Sequence, residues 1–198
     1  MGVGGGLGKS PRAASKIGLK FVEIGDRRVL AGWAAECAER VLHLYEVRAP
    51  GDLRAREAIA ETRAFAEGGP RTKGIRTAAW AALKAAREVG DPVGVAAARA
   101  AGYAAGTPYI HDLVSPHQVK HVHGPAVQMA LAEELAALEQ LPARRAGGGA
   151  EVGDAAIRWA VERAPEGVRG IVRWLPETTF GASRVAVLSR QLDEGLRS

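Results

Sequence analysis

The chain has 198 residues, of which 47% are hydrophobic and 25% charged, and a formal net charge of +5. This is globular composition at a length suited to one core; it excludes a disordered chain, and an apolar share carried largely by Ala calls for closely packed helices. Lys9, Arg12, Lys16 and Lys20 stand without an acid in the first twenty residues, leaving 23 basic against 22 acidic residues in the rest, so the body does not imitate a polyanion.

The N-terminal stretch is glycine-rich and basic, with no apolar run long enough for a signal peptide or a membrane span. It predicts a disordered tail over residues 1–25, with weak affinity for polyanions or no role at all, and a cytoplasmic protein. Gly2 to Gly8 followed by Lys9-Ser10 superficially resembles a phosphate loop, but no strand precedes it and its spacing fails the GxxxxGK[ST] form.

Beyond the tail almost no segment alternates as a strand would, and apolar residues recur every three or four positions. The first helix is expected from about Val29 to Glu46, with Leu30, Trp33, Cys37, Val41 and Leu44 on one stripe. Pro50-Gly51 breaks it. Asp52 is the expected N-cap of a second helix, whose inward face carries Ala55, Ala58, Ile59, Thr62, Phe65 and Ala66 before Gly68-Gly69-Pro70 stops it. The short break makes these two helices antiparallel neighbours. The third helix, about Thr72 to Val89, turns Ile75, Ala79, Ala82, Leu83 and Ala86 inward. Asp91-Pro92 starts the fourth as a cap followed by proline at the first helical position.

In that fourth helix Ala98, Gly102 and Gly106 recur at four-residue spacing, a groove suited to a neighbouring backbone. Thr107-Pro108 ends it. Ser115-Pro116-His117-Gln118 opens a fifth helix reaching Leu141, with a bend near Gly124-Pro125. Residues 142–150 read as a flexible linker, and helices follow at Asp154 to Ala164, Pro165 to Leu175 and Ser183 to Leu196. The prediction is an all-α, single-domain bundle of about seven helices: a core over 26–141, then helices in 151–198 that pack on the bundle or form a small lobe of their own.

Five stretches carry a family resemblance: WAAECAERVLHLYE at 33–46, PGDLRAREAIAETRAFAEG at 50–68, IRTAAWAALKAAREV at 75–89, AAARAAGYAAGTPYI at 96–110 and SRVAVLSRQLDEGLR at 183–197. In these the chain resembles the immunity-five-like group of bacterial immunity proteins, encoded with polymorphic toxins. The resemblance implies an all-α protein that protects its producer by binding and neutralising a toxin domain. It carries over no catalytic residues and no cofactor.

Lys73, Arg76, Trp80, Lys84 and Arg87 share one face of the third helix at 100° per residue, opposite Ile75, Leu83 and Ala86. A tryptophan among cations is a suitable anchor for an acidic protein partner, since Trp and Arg are enriched among binding hot spots. The competing expectation is that Trp80 packs beneath another helix with arginine stems over its ring. Arg56 and Arg63 on the second helix are a weaker version of the same signal.

His111, Asp112, His117, His121 and His123 fall within thirteen residues, with His43 the only other histidine. His117 and His121, one turn apart, are spaced to reach one Zn²⁺, with His111 or Asp112 as a third ligand. This would make the chain a metal-dependent or small-molecule-binding helical protein, an enzyme being one form of that reading. No Glu stands where a His-Glu-x-x-His motif requires its general base, and histidines near a helix start more often serve as caps or surface residues. A third expectation, weak nucleic-acid binding through the tail and the second and third helices, would be steeply salt-dependent. Cys37 has no catalytic partner at helical spacing and reads as a small buried hydrophobe.

Overall fold

The structure, a computed structural model, describes residues 22–110, 116–140, 148–177 and 181–198. Among these residues it contains eight α-helices and no strand: α1 (Ile24–Arg48), α2 (Arg54–Ala66), α3 (Lys73–Glu88), α4 (Pro92–Gly106), α5 (Pro116–Gln140), α6 (Gly148–Glu162), α7 (Glu166–Trp174) and α8 (Arg184–Arg197). A single 3₁₀ turn, Thr107–Tyr109, follows α4 directly. The all-α expectation holds. Residues 1–21 of the expected tail lie outside the described residues, and α1 already begins at Ile24.

Local chemistry explains most of the boundaries. The Asp91 carboxylate accepts the Gly94 N–H at 2.9 Å and Pro92 occupies the first helical position, so the start of α4 follows its sequence signature. Ser183 Oγ accepts the Ala186 N–H at 3.3 Å and caps α8. Asp52 acts one step earlier than expected: the N-cap of α2 is Leu53, while Asp52 Oδ1 accepts the Arg54 N–H at 3.1 Å and both its oxygens bind the Arg54 guanidinium. Helix α5 continues through Pro125. The Ser115 cap expected for it lies outside the described residues.

Helix α4 sits at the centre. Apart from Pro92 and Arg99, its residues are buried or half-buried, and the buried ones from Ala96 onward are all Ala or Gly. A helix apolar on every side is an interior helix, and α1, α2, α3 and α5 all pack against it. The expected small-residue groove is used unevenly. At Gly102 an added Cβ would meet Leu83 Cγ at 2.7 Å and the Ala79 carbonyl oxygen at 3.3 Å, so α3 rests on that spot. At Gly106 an added Cβ would meet only His121 Nδ1, at 4.0 Å.

The C-terminal helices lie on α1 and α5. Trp33 is 3% exposed and its indole Nε1 donates to the Ala160 carbonyl at 3.0 Å, joining α1 to α6. Arg40 of α1 and Arg163 lie over the Trp159 ring, 4.5 and 5.0 Å from its centroid. The expected linker over 142–150 needs correction at its end. Helix α6 begins at Gly148, and Gly149 is buried, with Leu138 of α5 about 2.5 Å from where its Cβ would stand. Gly149, which read as flexible, stands where two helices approach closely.

Three stability measurements test this packing. Trp33→Ala opens a cavity and leaves the Ala160 carbonyl without its donor; chemical denaturation is expected to show a loss of about 3–5 kcal/mol. Gly102→Leu is expected to cost about 1–3 kcal/mol through overpacking against Leu83. Gly106→Leu, on the same helix with open space beside it, should be neutral or gain up to about 1 kcal/mol from helix propensity.

Candidate partner-binding site

The Ile75 side of α3 is buried against its neighbours, and this decides what the opposite side does. Ile75, Ala79, Ala82, Ala85 and Ala86 are buried. Lys73, Arg76, Trp80, Lys84 and Arg87 are all exposed, Trp80 to 64%. Trp80 is therefore not core filling, and the indole stands in solvent among four cations.

Ion pairing separates this face from the arginines of α2. Arg56 pairs with Glu46 and Arg63 with Glu39, each with an Nε–Oε1 distance of 2.7 Å, so the basic signal of the second helix is consumed in fastening α2 to α1. Glu39 in turn raises the Arg63 guanidinium above its ordinary value by hydrogen bonding. Arg40 pairs with Glu133, and Arg48 with Asp91 and Glu139. Arg184 holds Glu134 and Asp154, each at 2.7 Å, and Arg197 holds Asp193 at 2.6 Å. On α3, Lys84 reaches Glu88 at 3.7 Å, but Glu88 is also held by Arg54 at 2.7 Å, a hydrogen bond that lowers its carboxyl below the ordinary range. Among the described residues, Lys73, Arg76 and Arg87 form no ion pair with a carboxylate.

Beside this ridge a cavity of about 670 Å³ opens between α3, α4 and the 3₁₀ turn. Its walls include Arg71, Arg76, Trp80, Tyr103 and Tyr109, and Gly102, Ala105 and Gly106 of α4 also line it. Arg27 of α1 and His121 of α5 complete its rim. The Arg76 and Arg71 guanidiniums lie over the same Tyr109 ring, 4.4 and 5.5 Å from its centroid. That ring is itself fixed, since Tyr109 Oη donates to the Thr72 carbonyl and Arg71 Nη1 donates to the Pro108 carbonyl at 3.3 Å. Tyr103 keeps its place because α5 has Gly124 opposite: an added Cβ there would stand 2.7 Å from Tyr103 Cδ2. The glycine read as a bend thus makes room for a wall of the cavity.

Trp80 and Arg76 belong to both the ridge and the cavity, and sequence spacing identified them only as part of the ridge. Arg71, Tyr103 and Tyr109 had no periodic signal, because they come from a loop, from an interior helix and from the turn after it.

The histidine cluster is divided by the helix that carries it. His121 is exposed at the cavity rim, whereas His123, two residues on and about 200° round the helix, is 2% exposed. Its Nε2 lies 3.4 Å from Asp193 Oδ1 of α8, but burial outweighs that carboxylate and lowers the imidazole to about 4, so it is neutral at pH 7. His111 and Asp112, and the side chain of His117, lie outside the described residues. Among the described residues no group of three or more His, Cys, Asp or Glu is placed to hold a metal ion. Cys37 is fully buried, which raises its thiol well above the ordinary value and keeps it protonated. No described helix is long and apolar enough to cross a membrane.

Residues 20–139 match the family model described as Imm-5 like putative immunity protein, a span that includes the whole ridge and the whole cavity. No curated protein and no solved structure matches the chain.

Collisional quenching provides a direct check on the exposed indole. With Trp33 buried and Trp159 and Trp174 half-buried, acrylamide is expected to quench Trp80 first, and Trp80→Phe should remove the most accessible component of the emission. Quenching unchanged by that substitution would show the ring to be covered.

Proposed function

The chain belongs to the Imm-5 like putative immunity protein family, and from that premise we propose that it binds and neutralises a toxin domain through the α3 ridge. The observation that carries the reading is the exposure of Trp80 among cations of which three, Lys73, Arg76 and Arg87, meet no described carboxylate, whereas the arginines of α2 are all paired. Exposed ion pairs contribute little to stability, about 0–1 kcal/mol each. Unmatched cations around an aromatic ring are, by contrast, the composition of a binding hot spot.

The mode of action is complementarity. The indole supplies a large rigid contact, and Lys73, Arg76, Lys84 and Arg87 supply charge that steers an acidic partner and speeds encounter. Nucleic acid is the weaker reading, because the arginines of α2 are engaged with carboxylates of this chain.

Coexpression with the toxin domain encoded beside its gene is the test: growth is expected to be rescued, and failure to bind that toxin would remove the reading. Trp80→Ala should weaken toxin affinity by at least about 2 kcal/mol, roughly thirtyfold, with unchanged melting. Lys84→Glu/Arg87→Glu should weaken binding while costing only about 0.2–0.5 kcal/mol of stability through repulsion with Glu88.

A further inference from the structure

We propose that the cavity beside the ridge is the acceptor for an acidic segment of the protein partner: a carboxylate reaches Arg71 and Arg76, and an adjoining flat or apolar side chain lies against Trp80 and Tyr103. The inference rests on the immunity reading and deepens it by assigning the chemistry of what is recognised.

Three observations carry it. The first is charge. Arg71 and Arg76 both lie over the Tyr109 ring, so two like charges are gathered on one aromatic side chain, and no described carboxylate pairs with either or lines the cavity. Elsewhere comparable arginines meet Asp or Glu, as Arg54 does with Asp52 and Glu88. Guanidiniums match carboxylates geometrically and bind them by charge-assisted hydrogen bonds. The partner's carboxylate supplies the charge that the fold withholds.

The second is shape. About 670 Å³ lies within the range of specific binding pockets, and apart from Tyr103 α4 contributes only glycine and alanine to it. A recess of that size admits one or two side chains, whereas a continuous phosphate backbone needs a track of cations beyond it. The third is continuity: Trp80 and Arg76 line the cavity and stand on the ridge, so a partner on the ridge reaches the cavity in the same contact.

The test uses the full chain and three probes: an acetylated, amidated octapeptide of Asp and Glu with a central Phe, the same peptide with Asn and Gln, and an eight-nucleotide oligothymidylate. Titration is expected to show the acidic peptide binding at least about tenfold tighter than the neutral one, the scale of one charge-assisted hydrogen bond. Arg71→Gln/Arg76→Gln should abolish that preference with unchanged melting, both side chains being exposed. Gly106→Leu keeps every charge but fills the recess, and should weaken the acidic peptide by a similar factor. Equal binding of the two peptides, wild-type binding by either variant, or tighter binding of the oligonucleotide would each overturn the proposal. If Arg71→Gln/Arg76→Gln keeps full toxin affinity while Trp80→Ala loses it, the cavity assignment fails and the immunity reading stands. If the peptides behave as expected but the toxin does not bind, the immunity reading fails and the acidic-segment site remains.

Discussion

The close approach of other helices to α4 is the constraint on which the rest of this structure depends. Interhelical distance is set by the side chains at the contact, and α4 offers methyl groups and hydrogens where most interior helices offer Leu or Ile. Four helices therefore gather round it at short range, and beyond Val93 near its start the bulky core residues come from the neighbours: Leu30, Val41 and Tyr45 from α1, Ile75 from α3, Val122 and Met129 from α5. Where a neighbour leans in, as Leu83 does at Gly102, the gap closes. Where none does, at Ala105 and Gly106, the same small residues leave the recess beneath Trp80. Packing and site come from one compositional choice.

The second organising feature is how charge is divided. The arginines of α1, α2 and α8 are mostly committed to acids on adjacent helices, often across long sequence separations such as Arg40 to Glu133 and Arg184 to Glu134. Such pairs contribute little net energy when solvated, but they set which face of each helix turns to which neighbour. Lys73, Arg71, Arg76 and Arg87 stand outside this arrangement among the described residues. Their charge is unspent within the fold and is available to a partner, and it is concentrated where an exposed indole and a recess lie side by side.

The C-terminal helices add rigidity to the opposite side. Trp33 is the joint, with its ring in the α1 core stripe and its N–H on the backbone of α6. His123 shows how dry this side is, since burial keeps it neutral even with Asp193 nearby. A carboxylate 3.4 Å away would ordinarily favour the imidazolium.

What the sequence by itself determined is the local layer. The 3.6-residue period, Asp91-Pro92, Ser183 and the Pro-Gly breaks are satisfied within one or two turns of chain, so the helices, most of their limits and the buried Cys37 and Trp33 were legible, whereas the exposure of Trp80 was not. Tertiary structure decided whatever depended on what comes to stand opposite. Arg56 and Arg76 are alike in sequence, yet one meets Glu46 and the other meets an aromatic ring with no acid beside it. Gly149 read as linker and Gly124 as a bend, because a missing Cβ signals freedom or close approach equally until Leu138 and Tyr103 are placed. The cavity was invisible for the same reason: it is an absence between Arg71, Tyr103 and Tyr109, which come from three elements. Periodicity along one helix carries no information about the space that several helices leave between them.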